Sequence, residues 1–489
     1  MINLHKLTKI QKKSGLPIQE QLKKIFLEMI RQDQLQPGEK LPSSRYLAQY
    51  LKISRNTVLI VYEALIDEGY LTSINKRGYF VSKELNYKST ASDQENLELD
   101  EMLSCRPSDY KNIDKPKKWR EYKYPFINGQ IDSQHFPSAD WASCMKMVCR
   151  KHFVQDWNCD IFDMDDESLI DQLRYKILPS RDIWLSPEEI IITSGSQHAL
   201  FMAAFVLLNS TKKIAIEDPG YVDFRNICKL FTEQIQPVPV DKDGMRIVPE
   251  LNSCNSVYVT PSFQAATTVT MSQERREQLL KVAYDEKLMI IEDDYETDLN
   301  ADNFIRPLKA MDNTGQVIYT GSLSKTIAPG LRMGFLAANK EIIKQIRALK
   351  RLNLRHSPLN NQRAVSLFIS QGYYENYIKK IRKVFSEKHE LIVKNIRCYL
   401  PDCEIFNEKF SGSSVWLKLP DDIDIDCLRT NAEKYQLYFE DGRAYFFQSA
   451  TRQNNIKLGY ASIKDELIEE GVKILAKSIH LSRRSVRPV

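Results

Sequence analysis

The sequence predicts a multi-domain chain. A small N-terminal domain, mainly α with a β-wing, precedes a large α/β domain and a smaller C-terminal α+β subdomain. Three observations predict this. Apolar stripes at helix spacing fill the first 70 residues and end in a hairpin pattern. From Phe126 onward short apolar runs alternate with helical segments, the signature of a mostly parallel sheet. Charge is also unevenly spread. Residues 1–82 carry 13 Lys and Arg against 7 Asp and Glu, or +6, while the 489-residue chain totals +5, so the remainder sums to −1. A basic domain on a near-neutral body points to a nucleic-acid contact.

In IQEQLKKIFLEMIRQ the residues Ile18, Leu22, Ile25, Phe26, Met29 and Ile30 form one apolar face. QPGEK breaks that helix. Ser43 and Ser44 are placed to cap a second, SRYLAQYL. A three-residue connection leads to RNTVLIVYEALIDEG, with Ser54 as cap, Val58, Val61, Tyr62 and Leu65 inward, and Gly69 as stop. YLTSINKRGYFV then reads as two strands about a turn at Asn75 to Gly78. Two helices on a tight turn with a hairpin behind describe a winged helix-turn-helix, whose second helix offers its polar amino end to the major groove. Arg55, Asn56 and Thr57 lie at that end. Arg reads guanine and Asn reads adenine, while Ser44, Ser54 and Thr57 suit phosphate oxygens. Arg45 is a second candidate base reader, and Lys76 and Arg77 at the hairpin tip reach a minor groove or the backbone.

Residues 83–125 are polar and of mixed charge, and read as a long linker. The candidate strands beyond it are 189–193, 213–218, 256–260, 288–293 and 316–322. Helical patterns lie at 196–209, 220–230, 273–286, 340–350 and 359–398. Four motifs sit at the ends of these strands, where open α/β sheets bind ligands. The most telling is SLSK (322–325), a lysine among small hydroxyl residues with Arg332 seven positions on. A lysine amine forms a Schiff base with an aldehyde, the bond by which pyridoxal 5′-phosphate (PLP) is held. Such a site needs phosphate donors, an acid opposite the pyridinium nitrogen, a hydroxyl for the ring O3′ and an aromatic lid. TSGSQHAL (193–200) offers Ser194, Gly195, Ser196 and Gln197 at a helix start for the phosphate. EDPGY (217–221) offers Tyr221 to stack on the ring. IIEDDYE (290–296) offers Asp293 for the nitrogen and Tyr295 for O3′. Lys325 takes the aldehyde, with Ser322, Ser324 and Arg332 about the phosphate.

The segment LPSSRYLAQYLKISRNTVLIVYEALIDEGYLTSINKRGYFV resembles the GntR family of bacterial transcription regulators. Residues 126–480 resemble fold-type I aminotransferases. Joined in one chain, they resemble the MocR/GabR branch of the GntR family. That resemblance implies domains at 1–82 (DNA-binding), 83–125 (linker) and 126–489 (PLP-binding, effector-sensing and dimerising), a homodimer, a double-stranded DNA operator and a small amine or amino-acid effector. Relatives commonly carry Gly-Tyr-x-x-Leu-Arg where this chain has DMDDESLIDQL (163–173). They carry Pro-Ser-His-Gln-Phe-Pro-x-Gly where it has PSFQAATTV (261–269), with Phe263 for His and Ala265-Ala266 for Phe-Pro. The effector pocket is therefore expected to be altered. Arg443 is the first candidate to grip an effector carboxylate, with Arg452 and Lys457 as alternatives.

Other classes are excluded or left open. No run approaches the ~18 apolar residues of a membrane span. Nine cysteines without a CxxC pair fit reduced thiols in the cytoplasm, with neither a disulfide framework nor a metal site. Three readings stand: a PLP-dependent regulator that senses an amine, an amino acid or PLP itself without turnover; an active aminotransferase with an accessory DNA-binding domain; and a DNA-binding protein whose large domain only dimerises.

Overall fold

The computed structural model describes residues 10, 16–32, 34–84, 102–160, 164–299, 305–447 and 454–483. The chain divides into two compact units, Met1–Ser104 and Cys105–Val489.

The first unit holds α1 (Ile18–Arg31), α2 (Ser44–Leu51), α3 (Arg55–Asp67), β1 (Leu71–Ile74) and β2 (Gly78–Val81). The predicted stripes make its core: Leu22, Phe26, Met29 and Ile30 of α1 pack with Leu47 of α2 and Val58, Val61, Tyr62 and Leu65 of α3. The caps fall as expected. Ser43 Oγ accepts from the Tyr46 N–H at 3.2 Å and Ser54 Oγ from the Thr57 N–H at 3.0 Å. Antiparallel β1 and β2 form the wing, with Lys76 in the left-handed region at its tip.

The second unit is built on an eight-stranded sheet. Its strands are β4 (Ile190–Thr193), β5 (Ile214–Asp218), β6 (Ile235–Asp241), β7 (Gly244–Met245), β8 (Ser256–Val259), β9 (Met289–Asp294), β10 (Val317–Ser322) and β11 (Gly334–Ala337), in the order 4-11-10-9-8-5-6-7. Strands β6, β5, β8, β9 and β10 run parallel, and β11 runs against both β10 and β4. Neighbouring residues serve opposite faces. Ile191, Ile291 and Ile318 enter one apolar cluster, whereas Ile190, Ile192, Ile290 and Val317 enter others. A sheet covered on both faces explains why its strands read as continuous apolar runs.

Beyond it a four-stranded antiparallel sheet carries Ser414–Lys418 and Asn455–Gly459 at its centre. The predicted single helix over 359–398 is two, Leu359–Ser370 and Tyr373–Tyr399, separated at Gly372 with φ +78°. The segment read as linker is also shorter than expected. Residues 105–125 belong to the second unit, and β3 (Tyr124–Pro125) pairs in parallel with Leu437–Tyr438. Its aromatic residues anchor it despite a polar composition: Tyr122 meets Tyr438 edge-on, and Tyr124 is buried.

Candidate cofactor site and nucleic-acid interface

The turn after β4 is shaped for an anion. Thr193 Oγ1 donates to the Gly195 carbonyl at 3.0 Å, and Gly195 takes φ +87° and ψ 166°, a conformation essentially confined to glycine. A Cβ there would stand 2.9 Å from Arg332 Nη2, so glycine also makes room for that guanidinium. Arg332 Nη2 donates to the Ser194 carbonyl at 3.4 Å. Helix α4 (Ser196–Leu207) begins immediately and brings the positive end of its dipole to this turn. His198, on its first turn, braces the loop by accepting from the Ser194 N–H at 3.2 Å. Burial and the nearby Lys350 charge hold this histidine below its ordinary pKa, which favours the neutral ring that can accept. Ser194 Oγ meets Ser357 Oγ at 3.1 Å.

A cavity of about 350 Å³ opens beside this loop, within the usual range for small-molecule sites. Its wall includes Ser196, Tyr221, Asp293, Tyr295 and Lys325, drawn from the ends of β4, β5, β9 and β10. Asp293 is buried and accepts from Tyr258 Oη and Thr320 Oγ1, both at 2.9 Å. Burial pushes its carboxyl up to about 6 against the pull of those two hydrogen bonds, with Asp294 adding to the rise and Lys325 opposing it. Tyr221 Oη lies 2.9 Å from Gln197 Oε1 and 3.1 Å from Asp223 Oδ2, either of which can accept its one proton. Lys325 Nζ lies 5.3 Å from the Tyr295 ring centroid and 3.6 Å from the buried Glu296 carboxylate. The residues fit PLP: an anion cradle closed to any Cβ, a buried acid, two tyrosines and an amine converge on one cavity.

In the first unit Arg45, Arg55, Asn56, Ser54, Lys76 and Arg77 are exposed and Thr57 is half-buried. Ser44 differs from expectation. It is buried, and its Oγ accepts from Arg55 Nε at 3.4 Å, so it steadies the arginine rather than standing free for phosphate.

Both units resemble known proteins. Residues 18–81 match the model for bacterial regulatory proteins of the gntR family, and residues 161–475 match that for aminotransferase class I and II. The HTH-type transcriptional regulator TauR of Rhodobacter capsulatus is 31% identical over 468 residues, covering 94% of this chain and 96% of that protein. The chain belongs to the GntR-family regulators that carry an aminotransferase domain. The probable rhizopine catabolism regulatory protein MocR of Rhizobium meliloti is 27% identical over 474 residues, covering 95% of this regulator and 94% of that protein. Among solved structures, an archaeal alanine:glyoxylate aminotransferase aligns with TM-score 0.72 and 27% identity, over 78% of this chain and 99% of that one. Kynurenine aminotransferase of Pyrococcus horikoshii aligns with TM-score 0.70 and 25% identity, over 78% and 98%. The fold and these neighbours imply a PLP cofactor. No helix among the described residues is long and apolar enough to cross a membrane.

Not every residue singled out in the sequence faces the regulator's cavity. Ser322 Oγ accepts from the Lys325 N–H at 3.1 Å and so sets the turn that presents the lysine. Ser324 is buried and bonded to the Met333 backbone, donating to its carbonyl and accepting from its N–H. Gln197 and Arg332 line an adjoining recess with Ser196 and Tyr221. Arg443 is not in the wall: Asp441 and Asp426 both hold its guanidinium, at 2.6 Å from Nη2. Arg452 lies outside the described residues. Lys457 is fully buried, donates to the Ala265 carbonyl at 2.6 Å and lies over the Phe263 and Tyr445 rings. Burial brings its amine down to about 8, opposed by Glu440 and Glu296 and aided by Lys325 and Lys115.

The departures from the family pattern have structural employment. Asp165 pairs with Lys350 and Arg347 and accepts from the Ile192 N–H of β4, while Asp166 pairs with Arg363 at 2.7 Å. Phe263 meets Tyr295 edge-on, and Ala265 forms part of the wall. Gln264 holds the buried Glu217, whose carboxyl burial pushes up to about 7. The sequence did not single out Glu296, Tyr258, Thr320, Lys115 or Asn128. Of these only Glu296 stood inside a quoted motif.

Proposed function

We propose that this regulator holds PLP at Lys325 and reads an amine effector by letting the effector's nitrogen take the lysine's place. The observation that carries the reading is the convergence of Lys325, Asp293, Tyr221, Tyr295 and Ser196, the first residue of α4, on one cavity. When bound, PLP supplies an aldehyde that condenses reversibly with a primary amine. The chain's own residues do the rest. The α4 N–H groups, Ser196 and Arg332 hold the phosphate. Asp293, ionised, accepts a hydrogen bond from the protonated pyridine nitrogen. Tyr221 covers the ring and Tyr295 bonds its hydroxyl. Once displaced, Lys325 has Glu296 3.6 Å away to hold its ammonium. A ligand shifts a regulator only by binding its states unequally, so occupancy must alter contacts that bear on the DNA-binding unit. A homodimer fits the reading, because two winged helices then meet two half-sites about 34 Å apart.

The test uses the full-length protein stripped of cofactor. Added PLP is expected to produce visible absorbance. Some primary amine is then expected to shift that absorbance and change affinity for a duplex selected by the protein from random sequences. A protein that stays colourless after incubation with PLP defeats the reading. Sustained amino transfer at enzyme-like rates instead favours the aminotransferase reading. On the same duplex, Arg55→Ala is expected to lose about 1–3 kcal/mol of specific binding, a loss of one bidentate base contact. Lys76→Ala is expected to weaken all sequences alike and reduce the salt slope by about 1. Equal loss on specific and random DNA for Arg55→Ala removes it as a base reader.

A further inference from the structure

We propose that Lys115 binds the anionic group of an amine effector whose nitrogen is received at Lys325, and thereby reports the cavity's occupancy to the chain leading back to the winged-helix unit. The inference rests on the reading that the cavity takes an amine at Lys325.

Residues 105–125 are the first of the second unit, and they run along the cavity: Ile113 and Lys115 are both in its wall. Among the described residues of that wall, Lys115 and Lys325 are the only cations. Among the described residues, the other basic candidates, Arg443 and Lys457, are spoken for. Two carboxylates hold Arg443, and Lys457 lies behind the wall with its amine on the Ala265 carbonyl. Gly129 gauges the separation of the two wall amines. A Cβ there would be 3.2 Å from Lys325 Nζ and 3.9 Å from Lys115 Nζ, so the amines are at most about 7 Å apart. A single short molecule can touch both places.

Lys115 is also available for a ligand. An ammonium has three donors, and two are taken, by the Asn128 carbonyl at 3.0 Å and Glu440 Oε1 at 3.1 Å. Glu440 does not depend on it, since the Asn128 N–H at 3.1 Å and Tyr445 Oη at 2.9 Å also donate to that carboxylate. Asn128 lines the same stretch of cavity, and its Oδ1 is buried without a partner. Turned over, that amide presents an N–H to an anion beside Lys115.

On either side of Ile113 the strap is also held by polar contacts. Asn226 Nδ2 donates to the Lys111 carbonyl at 3.0 Å and to Asn112 Oδ1 at 2.7 Å, and Tyr438 Oη donates to the Asp114 carbonyl at 2.8 Å. Ile113 is its apolar anchor, against a cluster of Val222, Ala266, Trp416 and Tyr445. A ligand that draws on Lys115 therefore acts on a segment that continues directly into the chain toward the DNA-binding unit.

The test titrates PLP-loaded full-length protein with ω-amino carboxylates of two to five carbons and with n-alkylamines of matched length, read by absorbance. Wild type is expected to bind at least one carboxylate ten-fold or more tighter than its matched alkylamine. Lys115→Met is expected to cut that preference to two-fold or less while alkylamine affinity stays within two-fold, and Lys115→Arg is expected to restore most of it. A preference that survives in Lys115→Met, or a parallel fall for both ligand classes, overturns the binding role. Saturating carboxylate is further expected to change DNA affinity in wild type but not in Lys115→Met. An equal change in both overturns the reporting role. A wild type that takes up no PLP or answers no amine overturns this proposal together with the reading beneath it.

Discussion

Lys325→Ala, mixed with PLP, is expected to show none of the visible absorbance that wild type acquires, and no amine is expected to alter the affinity of this variant for DNA. The loss is complete rather than graded, because no other amine among the described residues takes this position. Lys115 is held at Asn128 and Glu440, and Lys457 is buried behind the wall. Duplex binding without effector should persist, since the winged-helix core of Leu22, Phe26, Val58, Tyr62 and Leu65 forms a cluster of its own. The substitution has a second, structural effect. It removes the ion partner of Glu296, a buried group otherwise served by the Ser413 N–H at 2.9 Å and Oγ at 2.8 Å. We expect a loss of about 1–3 kcal/mol, the range for a buried polar group deprived of a partner. The low end applies, because the Lys325 side chain is 26% exposed. Lys325→Ala/Glu296→Gln should recover stability yet remain colourless. Recovery of colour in the double variant excludes Lys325 as the attachment point.

Asp293→Asn separates cofactor binding from stability, with opposite signs. The buried carboxylate is the candidate partner of the pyridinium, and breaking a buried ionic pair by removing one member removes about 3–5 kcal/mol. PLP affinity is therefore expected to fall by at least about 100-fold, measured by equilibrium dialysis. The cofactor-free protein should respond the other way. Asp293 is raised from 3.8 to about 6, chiefly by burial. A raised carboxyl favours the fold below the unfolded value and loses that contribution as pH climbs toward 6. Above 6 the full penalty is present, a gap of about two pH units at 1.36 kcal/mol each, or on the order of 3 kcal/mol. Cofactor-free Asp293→Asn should thus melt higher than wild type at pH 8, with the difference closing near pH 4. Wild-type affinity for PLP should rise between pH 5 and 7 as the carboxylate ionises, and the variant should lose that dependence. A variant that melts lower at both pH values contradicts the assignment of burial as the dominant cause.

The elements legible in the sequence were those whose signal is local. Helix spacing and serine caps fixed α1 to α3, and apolar runs fixed β4, β5, β8, β9 and β10. Strand β6 is not among the strand candidates of the sequence, and its Pro237 and Pro239 are residues that strands seldom carry. Both residues lie in the register with β5, in a strand flanked on its other side only by the two-residue β7. Strand β11, GFLA, was hidden behind the lysine motif and is defined only by its antiparallel partners. Residues 105–125 read as linker because a strap held by scattered tyrosines has no period. Within the site, Asp293, Tyr221 and Lys325 were legible because each ends a strand. Tyr258 and Thr320 were not, since their importance lies in facing Asp293 from neighbouring strands. Arg443 was misread as a free cation for a similar reason: one of its two carboxylates, Asp426, is seventeen residues away.

The place of β11, threaded between β4 and β10, makes the sheet a ruler. Strands in a ladder lie about 4.8 Å apart, so the glycine turn after β4 and the lysine turn after β10 are held two rungs apart, about 10 Å, while Asp293 on β9 lies one rung further. The size of ring that fits is thereby written into backbone spacing, which side-chain change hardly touches. Ile113 and Lys115, which line the cavity from outside any strand, are under no such spacing.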